Sequence, residues 1–595
     1  MTSSLPPKTY SDPEYEAAHR QTFATPKTKI SNVLPLGVTR ATFDVAIKEL
    51  ISAVGVASVF VGEALAHYVD PYDVYEDDES RRRVPSAAVT PGSLDELRQV
   101  LKIANQHGIP LWTFSRGKNL GYGGPAPVVR GSIALDLHLM NRILEVNDDL
   151  HYAVVEPGVT WTDLYNYCVE NKKKVWPSAP SLGWGSVIGN VSHGEEGRRR
   201  RRRRRRRKTM DKGFGSNSNH HQCVAGCEVM LADGDLLRTG QFGISNSPSA
   251  FLSKFTYGPS VEGLFWQSNL GIVTKMSIWL TPQPSAFMSC VFNMPEFDDL
   301  EVMVDTLGLM RRNGVIPNVI WVGNVVEALC IRGRRRDYWK GEGPIPDWRV
   351  KELQKELNLG CWTARFGLYG PERIVQAHFD EISGILKDKA PTGEFIGKLF
   401  AGPDGGLLDA ASVPFEDGNV LVGIPSLMSI PLMSWPLQED GAGKAAHGDY
   451  APIIPSSGKK LLDWMRRVKP IFEASGLELM TDFFMQERHV VVTGMYSFDQ
   501  HSPREREAMH RLFHAMHEEA KDKGYGMYRG HIQHMGEFRK SNILERERTD
   551  RTVDLIADLN DFNNHAYSRF VETLKVRIIL GTVRRRDLTL DVGCN

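Results

Sequence analysis

Two glycine-rich loops constrain this chain more than any other feature. The strand-like run "PLWTFS" (110–115) passes straight into "RGKNLGYGG" (116–124), and a second stretch, "SLGWGSVIGN" (181–190), lies beyond a helix-like segment. Glycines let a backbone approach a ligand closely, and successive free N–H groups suit a phosphate, with Arg116 and Lys118 adding charge. The spacing is neither Gly-x-x-x-x-Gly-Lys-Ser/Thr nor Gly-x-Gly-x-x-Gly, which disfavours ATP and a Rossmann cofactor. A glycine-rich turn without a ligand fits the first loop equally well.

The surroundings alternate short strands with helices. "SAAVTP", "SIALDL" and "HYAVVEPG" read as strands, and "PLWTFS" as a buried one. Ser93 and Glu96 form a capping box opening a helix with Leu94, Leu97, Leu101 and Ala104 on one stripe, and Thr160 with Asp163 opens another. "EVMLADGDLLRTG" reads as a hairpin. From 286 the texture shifts to longer amphipathic helices such as 299–312, and a helical segment, "SPREREAMHRLFHAMHEEAKDKG", precedes "YGMYRGHIQHM".

A chain of 595 residues exceeds one hydrophobic core, so two domains or one composite enzyme are expected. No apolar stretch approaches the roughly 20 residues of a membrane span. The N-terminus lacks an apolar signal core, and "DVGCN" at the end is no prenylation or peroxisomal address. The expectation is a cytoplasmic protein without a membrane partner; a peroxisomal one would need a signal the C-terminus does not carry.

The cysteines (168, 223, 227, 290, 330, 361 and 594) are scattered and odd in number, which argues for reduced thiols. "HHQCVAGC", His220 to Cys227, could hold zinc in principle, but it lacks a second ligand pair, so no metal is expected.

Ten consecutive arginines, Arg198 to Arg207, sit just after the second glycine loop. Residues 191–208 carry a net +9, leaving −9 on the remainder. A nucleic-acid binder spreads basic residues over a face and interleaves aromatic or polar readers, and nothing outside the run does so. No specific nucleic-acid partner is expected.

The motifs "PLWTFSRGKNLGYGG", "VVEPGVTW", "SLGWGSVIGN", "GCEVMLADGDLLRTG", "VEGLFWQSNLGIVTKMSIWLTP", "YGMYRG" and "FNNHAYSRFVETLK" stand in the order of the vanillyl-alcohol oxidase and p-cresol methylhydroxylase family. The chain resembles that family over roughly 60–575. The resemblance implies an α+β fold: a two-part FAD-binding domain of the p-cresol methylhydroxylase type, with an α+β cap domain over the flavin. The expected division is 1–285 for the N-terminal FAD part, 286–510 for the cap, and 511–595 for the part completing the FAD domain. Contacts to FAD are implied for Ser115, Arg116, Gly117, Lys118, Asn119 and Gly121, for Ser186, Gly189 and Asn190, and for Gly271 and Ile272.

Tyr122, Tyr528 and Arg529 match the family's phenolate-binding trio. A guanidinium and two hydroxyls donating to one oxygen would lower a phenol pKa from about 10 toward neutrality. His447 in "GKAAHGDYAPI" stands where the histidine branch attaches FAD covalently. His489 falls on another family histidine, its role open. Where the family's oxidases carry an aspartate near the flavin, this chain has Ser181, which cannot serve as a carboxylate base. Asp482 in "ELMTDFFMQ" stands on the opposite side of the pocket and is the expected acid–base group.

In the family, Gly-Asn runs directly into a segment like "TMDKGFG" (209–215), which makes 191–208 surplus. Val191-Ser192 can be encoded GTGAGT, a splice-donor consensus, so the segment reads as a translated intron. The end from Val576 departs similarly, making 576–595 aberrant. The insertion is expected to disturb cofactor binding and to adhere to polyanions salt-sensitively.

The implied function is FAD-dependent oxidation of para-substituted phenols by hydride transfer through a quinone methide. Molecular oxygen would be the acceptor and hydrogen peroxide the by-product, in a homodimer or larger homo-oligomer. The alternatives are an FAD dehydrogenase using another alcohol or hydroxy acid and a non-oxygen acceptor, or an inactive chain that binds polyanions through its arginines.

Overall fold

The computed structural model describes residues 30, 32–75, 81–180, 182–192, 220–256, 260–427, 430–437 and 444–535. Ser181, the arginine run, "TMDKGFG", "FNNHAYSRFVETLK" and 576–595 lie outside the described residues.

The fold is α+β, built on three main sheets. The first has the order β1 (Val59–Phe60), β2 (Ala87–Val89), β4 (Ile133–Asp136), β3 (Leu111–Phe114). Parallel strands β2 and β4 are buried along their whole length, as strands covered on both faces must be. The helix Leu94–His107 buries Leu97, Val100, Leu101, Ile103 and Ala104. Ser93 caps it by accepting from Glu96 N at 3.2 Å. The Glu96 carboxylate, expected to return to Ser93 N, accepts instead from Gly92 N at 2.7 Å, so the capping box is half formed. Strand β3 was expected to be buried. It is an edge strand paired only with β4, and its Thr113 is exposed.

The second sheet is antiparallel, in the order β5 (Ile143–Asn147), β6 (Tyr152–Val155), β10 (Ile272–Trp279), β8 (Val224–Met230), β9 (Leu236–Arg238). The hairpin turns at Gly234, whose φ of 87° suits glycine. The helix Trp161–Glu170 opens with a complete Thr160–Asp163 capping box. Beside it the short helix Val187–Ser192 buries Val187, Ile188 and Val191, and Ser192 O accepts from Gln267 N at 2.9 Å. Val191 and Ser192, counted with the surplus segment, are therefore part of the packing. A small pair, β7 (Val175–Trp176) and β11 (Thr281–Pro282), leads into the third sheet.

That sheet starts at Ala286, where the composition shifts. It runs β15 (Glu394–Ala401), β12 (Ala286–Met294), β14 (Trp362–Gly370), β13 (Ile320–Asn324), β18 (Met480–Met485), β19 (His489–Asp499), β16 (Ala445–Tyr450), with β17 (Ile453–Pro455) also on β19. The helices Leu300–Arg312, Glu372–Lys389, Gly458–Ala474 and Pro503–Lys523 share its main core, which includes Phe292, Phe366, Trp464, Phe472, Phe483 and Phe513. The last helix crosses the expected boundary at 510, and Met509 and Met516 on either side of it join this one core. Among the described residues no helix is long and apolar enough to cross a membrane.

Candidate active site

The third sheet has two unlike faces. Tyr450, Phe483, Val492 and Phe498 are buried against the helices. Strand alternation turns the intervening residues the other way: His447 and Asp449 on β16, Thr493 and Ser497 on β19, Asp482 on β18, Trp321 on β13 and Arg365 on β14. This opposite face, against which the short helix Val325–Arg332 packs, thus carries ionisable and polar groups on five neighbouring strands.

The first glycine loop closes over one end of that face. Gly121 has φ 77°, and a Cβ there would stand 2.7 Å from His447 Nε2 and 3.0 Å from Asp449 Oδ2. Only glycine lets the loop lie this close. The loop folds on Asn119, whose carbonyl accepts from Tyr122 N at 3.3 Å and Gly124 N at 3.0 Å. Among the described residues, no backbone acceptor takes the amides of Gly117, Asn119, Leu120 or Gly121.

The second loop joins the first. A Cβ on Gly189 would collide with Ser115 Oγ, and Lys118 Nζ lies 5.1 Å from the centre of the Trp184 ring. Ser186 Oγ accepts from Gly189 N at 3.0 Å, and Asn190 Oδ1 accepts from Trp161 Nε1 at 3.1 Å. Arg116 is half-buried in the first loop. Gly271 and Ile272 are closely packed: a Cβ on Gly271 would strike Val229, and Ile272 belongs to the core that holds Leu97 and Met140.

Tyr122, Tyr528 and Arg529 come together although some four hundred positions separate the first from the others in sequence. The Arg529 guanidinium carbon lies 4.0 Å from the centre of the Tyr122 ring and 5.2 Å from that of Tyr528. Tyr528 N donates to Ala451 O at 2.8 Å, extending the β16 edge, and Ile532 N donates to Tyr122 O at 3.1 Å. Both tyrosines are buried. Burial, then the Asp449 charge, raises the Tyr122 pKa well above its usual 10, with Arg529 opposing. Tyr122 therefore keeps its proton and is available as a donor.

His447 lies against the Tyr72 ring edge at 5.0 Å between centres, with Nδ1 3.1 Å from Met433 Sδ and Nε2 3.7 Å from Asp449 Oδ2. Burial depresses its pKa to about 4, Asp70 opposing and His531 adding, so it is a neutral imidazole. Sequence reasoning missed Asp449, Tyr72 and Met433 around it, and the buried His531–Asp70 pair at 2.9 Å. "DYAPI" contains Asp449, and its place two residues from His447 on a strand was the available signal.

Asp482 Oδ2 accepts from Trp321 Nε1 at 3.1 Å. His489 opens β19, four residues from the Asp482 partner Thr493, or roughly 13 Å along the strand. The zinc candidates are engaged elsewhere. His220 stacks on Trp161 and its Nε2 lies 2.6 Å from Ser178 O, while Cys227 lies against Thr239. Among the described residues no group of three or more His, Cys, Asp or Glu could hold a metal ion.

Residues 85–207 match the FAD binding domain family. The loop amides and the close glycine backbones fit a pyrophosphate-bearing dinucleotide, which defines the class: an FAD-linked oxidoreductase. The chain is 30% identical over 538 residues to the flavoprotein subunit of 4-cresol dehydrogenase [hydroxylating] from Pseudomonas putida, covering 89% of this chain and 96% of that one. It superposes on 4-ethylphenol oxidase from Gulosibacter chungangensis, in its isoeugenol complex, with a TM-score of 0.77, 28% identity and coverage of 92% and 96%. On substrate-bound p-cresol methylhydroxylase the TM-score is 0.76, at 28% identity and coverage of 89% and 98%. The chain belongs to the FAD-linked oxidoreductases of the p-cresol methylhydroxylase type.

Proposed function

We propose that the chain oxidises para-substituted phenols, namely 4-hydroxybenzylic alcohols and 4-alkyl or 4-allylphenols. The observation that carries this is the Arg529 guanidinium packed against Tyr122 and Tyr528 beside the loop that meets His447. The printed names of the relatives, a cresol dehydrogenase and an ethylphenol oxidase, support the same substrate class.

A phenol oxygen facing the two tyrosine hydroxyls and Arg529 would be held as phenolate by charge-assisted hydrogen bonds. The phenolate pushes electrons toward its para carbon and loosens a benzylic hydride, for which FAD, when bound, would supply the two-electron acceptor. Water then attacks the methide carbon of the resulting quinone methide. A C–O bond forms, the water O–H breaks, its proton passes to the Asp482 carboxylate, and the ring regains its phenolate. Trp321 holds Asp482 from one side for this step. His447, neutral and against the glycine loop, would attach FAD covalently, and substitution of the ring makes it a stronger oxidant.

Oxygen is the proposed acceptor. Likeness to a subunit of a dehydrogenase supports a second reading in which another acceptor serves. Anaerobic mixing with 4-ethylphenol should bleach the flavin band while D-lactate leaves it unchanged; the reverse pattern overturns the phenol reading. Admission of air, with hydrogen peroxide measured, discriminates the acceptors.

A further inference from the structure

We infer that Glu327 is a positioning residue for Asp482: the two carboxyl groups hold one proton between them beside the reaction site, leaving Asp482 ionised to take the proton from water. This rests on the proposed role of Asp482.

Gly323 on β13 lies directly opposite Asp482 on β18. Cross-strand partners share a face, their Cβ positions about 4.5–5.5 Å apart. Gly323 has no Cβ, and the Glu327 carboxylate fills that space: Glu327 Oε2 is the nearest atom to where the Cβ would stand. A carboxylate thus occupies the neighbouring position to Asp482 without belonging to the sheet. Residues Val325–Arg332 form a helix immediately after β13, which swings Glu327 back under Gly323.

Asn324 fixes this arrangement. Its Oδ1 accepts from Glu327 N at 3.0 Å and Thr481 N at 3.4 Å, and its Nδ2 donates to Leu479 O at 2.7 Å. One side chain therefore ties the helix start to the strand residue preceding Asp482. Arg365 stacks on Trp321 at 5.1 Å, and Trp321 in turn donates to Asp482.

The charged and titratable groups facing Glu327 are Asp482 from β18, Arg365 from β14, and Arg332 and Cys330 from its own helix. Glu478, which also acts on Cys330, is bonded by Arg335 and Trp435. Burial pushes the Glu327 carboxyl up to about 7, with Asp482 adding to the rise and the two arginines opposing it. Neighbouring carboxyl groups of this kind titrate as a pair, in steps that belong to both. A neutral Glu327 offers Asp482 a hydrogen-bond donor; an ionised one would repel it.

The test is infrared titration of the FAD-loaded protein without substrate, followed by the pH profile of kcat/KM for 4-ethylphenol. A protonated-carboxyl band should be present at pH 6, fade by pH 8, and be missing from Glu327→Gln. The wild-type activity limb near pH 7 should vanish in Glu327→Gln and return in Glu327→Asp. A Glu327→Gln protein with the wild-type band and profile overturns the inference. If that variant fails to hold flavin, Asp482→Asn decides: its band should titrate at least about 0.5 pH unit lower, since a negative neighbour is gone. An unmoved band overturns the pairing. Should the phenol reading itself fail, 4-ethylphenol leaves wild-type flavin unbleached while the band still titrates.

Discussion

The Arg529 guanidinium lies 4.0 Å over the centre of the Tyr122 ring, joining the first glycine loop to the segment that follows the helix Pro503–Lys523. Neither residue means much alone. Together with Tyr528 they bring one guanidinium and two buried tyrosine rings into contact, the group proposed above to hold a phenol oxygen.

Tyr122→Phe should lower kcat/KM for 4-ethylphenol by roughly 30-fold, since one hydrogen bond to a charged oxygen is worth about 2 kcal/mol. Arg529→Gln should cost at least about 100-fold, because it removes the only cation of the trio from a buried site. Steady-state kinetics check both; equal, small losses in the two variants would remove the trio from the chemistry.

His447 predicts colour that survives denaturation. Acid precipitation of the wild-type protein should leave the pellet yellow, and His447→Ala should release the flavin to the supernatant. Gly121→Ala should reduce flavin incorporation as well, because its Cβ would stand 2.7 Å from His447 Nε2 at a φ of 77°, where alanine is strained.

Acid should weaken the fold through His220. Its Nε2 is turned to Ser178 O, its Nδ1 is buried without an acceptor among the described residues, and burial lowers its pKa to about 4. An unfolded histidine titrates near 6.5, so between these values the unfolded chain binds the extra proton. The contribution is present above pH 6.5 and is lost as pH falls, about 3 kcal/mol by pH 4. His447 titrates in the same window, so His220→Phe should reduce the pH slope of unfolding by one proton, measured by denaturant melts at pH 4–7.

Much of this was legible beforehand because it is local. The glycine loops, the Thr160 cap, the hairpin at Gly234 and the helix Leu300–Arg312 follow from spacing within a few residues. What sequence could not supply was register. Glu327 reaches Asp482 only because strands distant in sequence pair in one alignment, and Asp449 reaches Tyr122 only because the glycine loop packs on β16. The edge position of β3 and the diversion of Glu96 to Gly92 are likewise set by neighbours that no short window contains.

The arginine run makes its own prediction. Val191 and Ser192 are packed, so removal should begin at His193 and end at Lys208. The shortened chain should bind FAD more completely and lose retention on heparin. Retention by the full chain should fall steeply with salt, as multiple ionic contacts release counterions. Unchanged flavin content after removal would mean that the segment does not disturb the site.

The most direct measurement of the central claim is the ultraviolet difference spectrum of 4-bromophenol, which has no benzylic hydride to lose, bound to the flavin-loaded protein at pH 6–7. Recognition by Tyr122, Tyr528 and Arg529 predicts a phenolate band well below the pH at which this phenol ionises in water, and its disappearance in Arg529→Gln. A bound phenol that stays neutral, or a phenolate band that survives Arg529→Gln, would contradict the account.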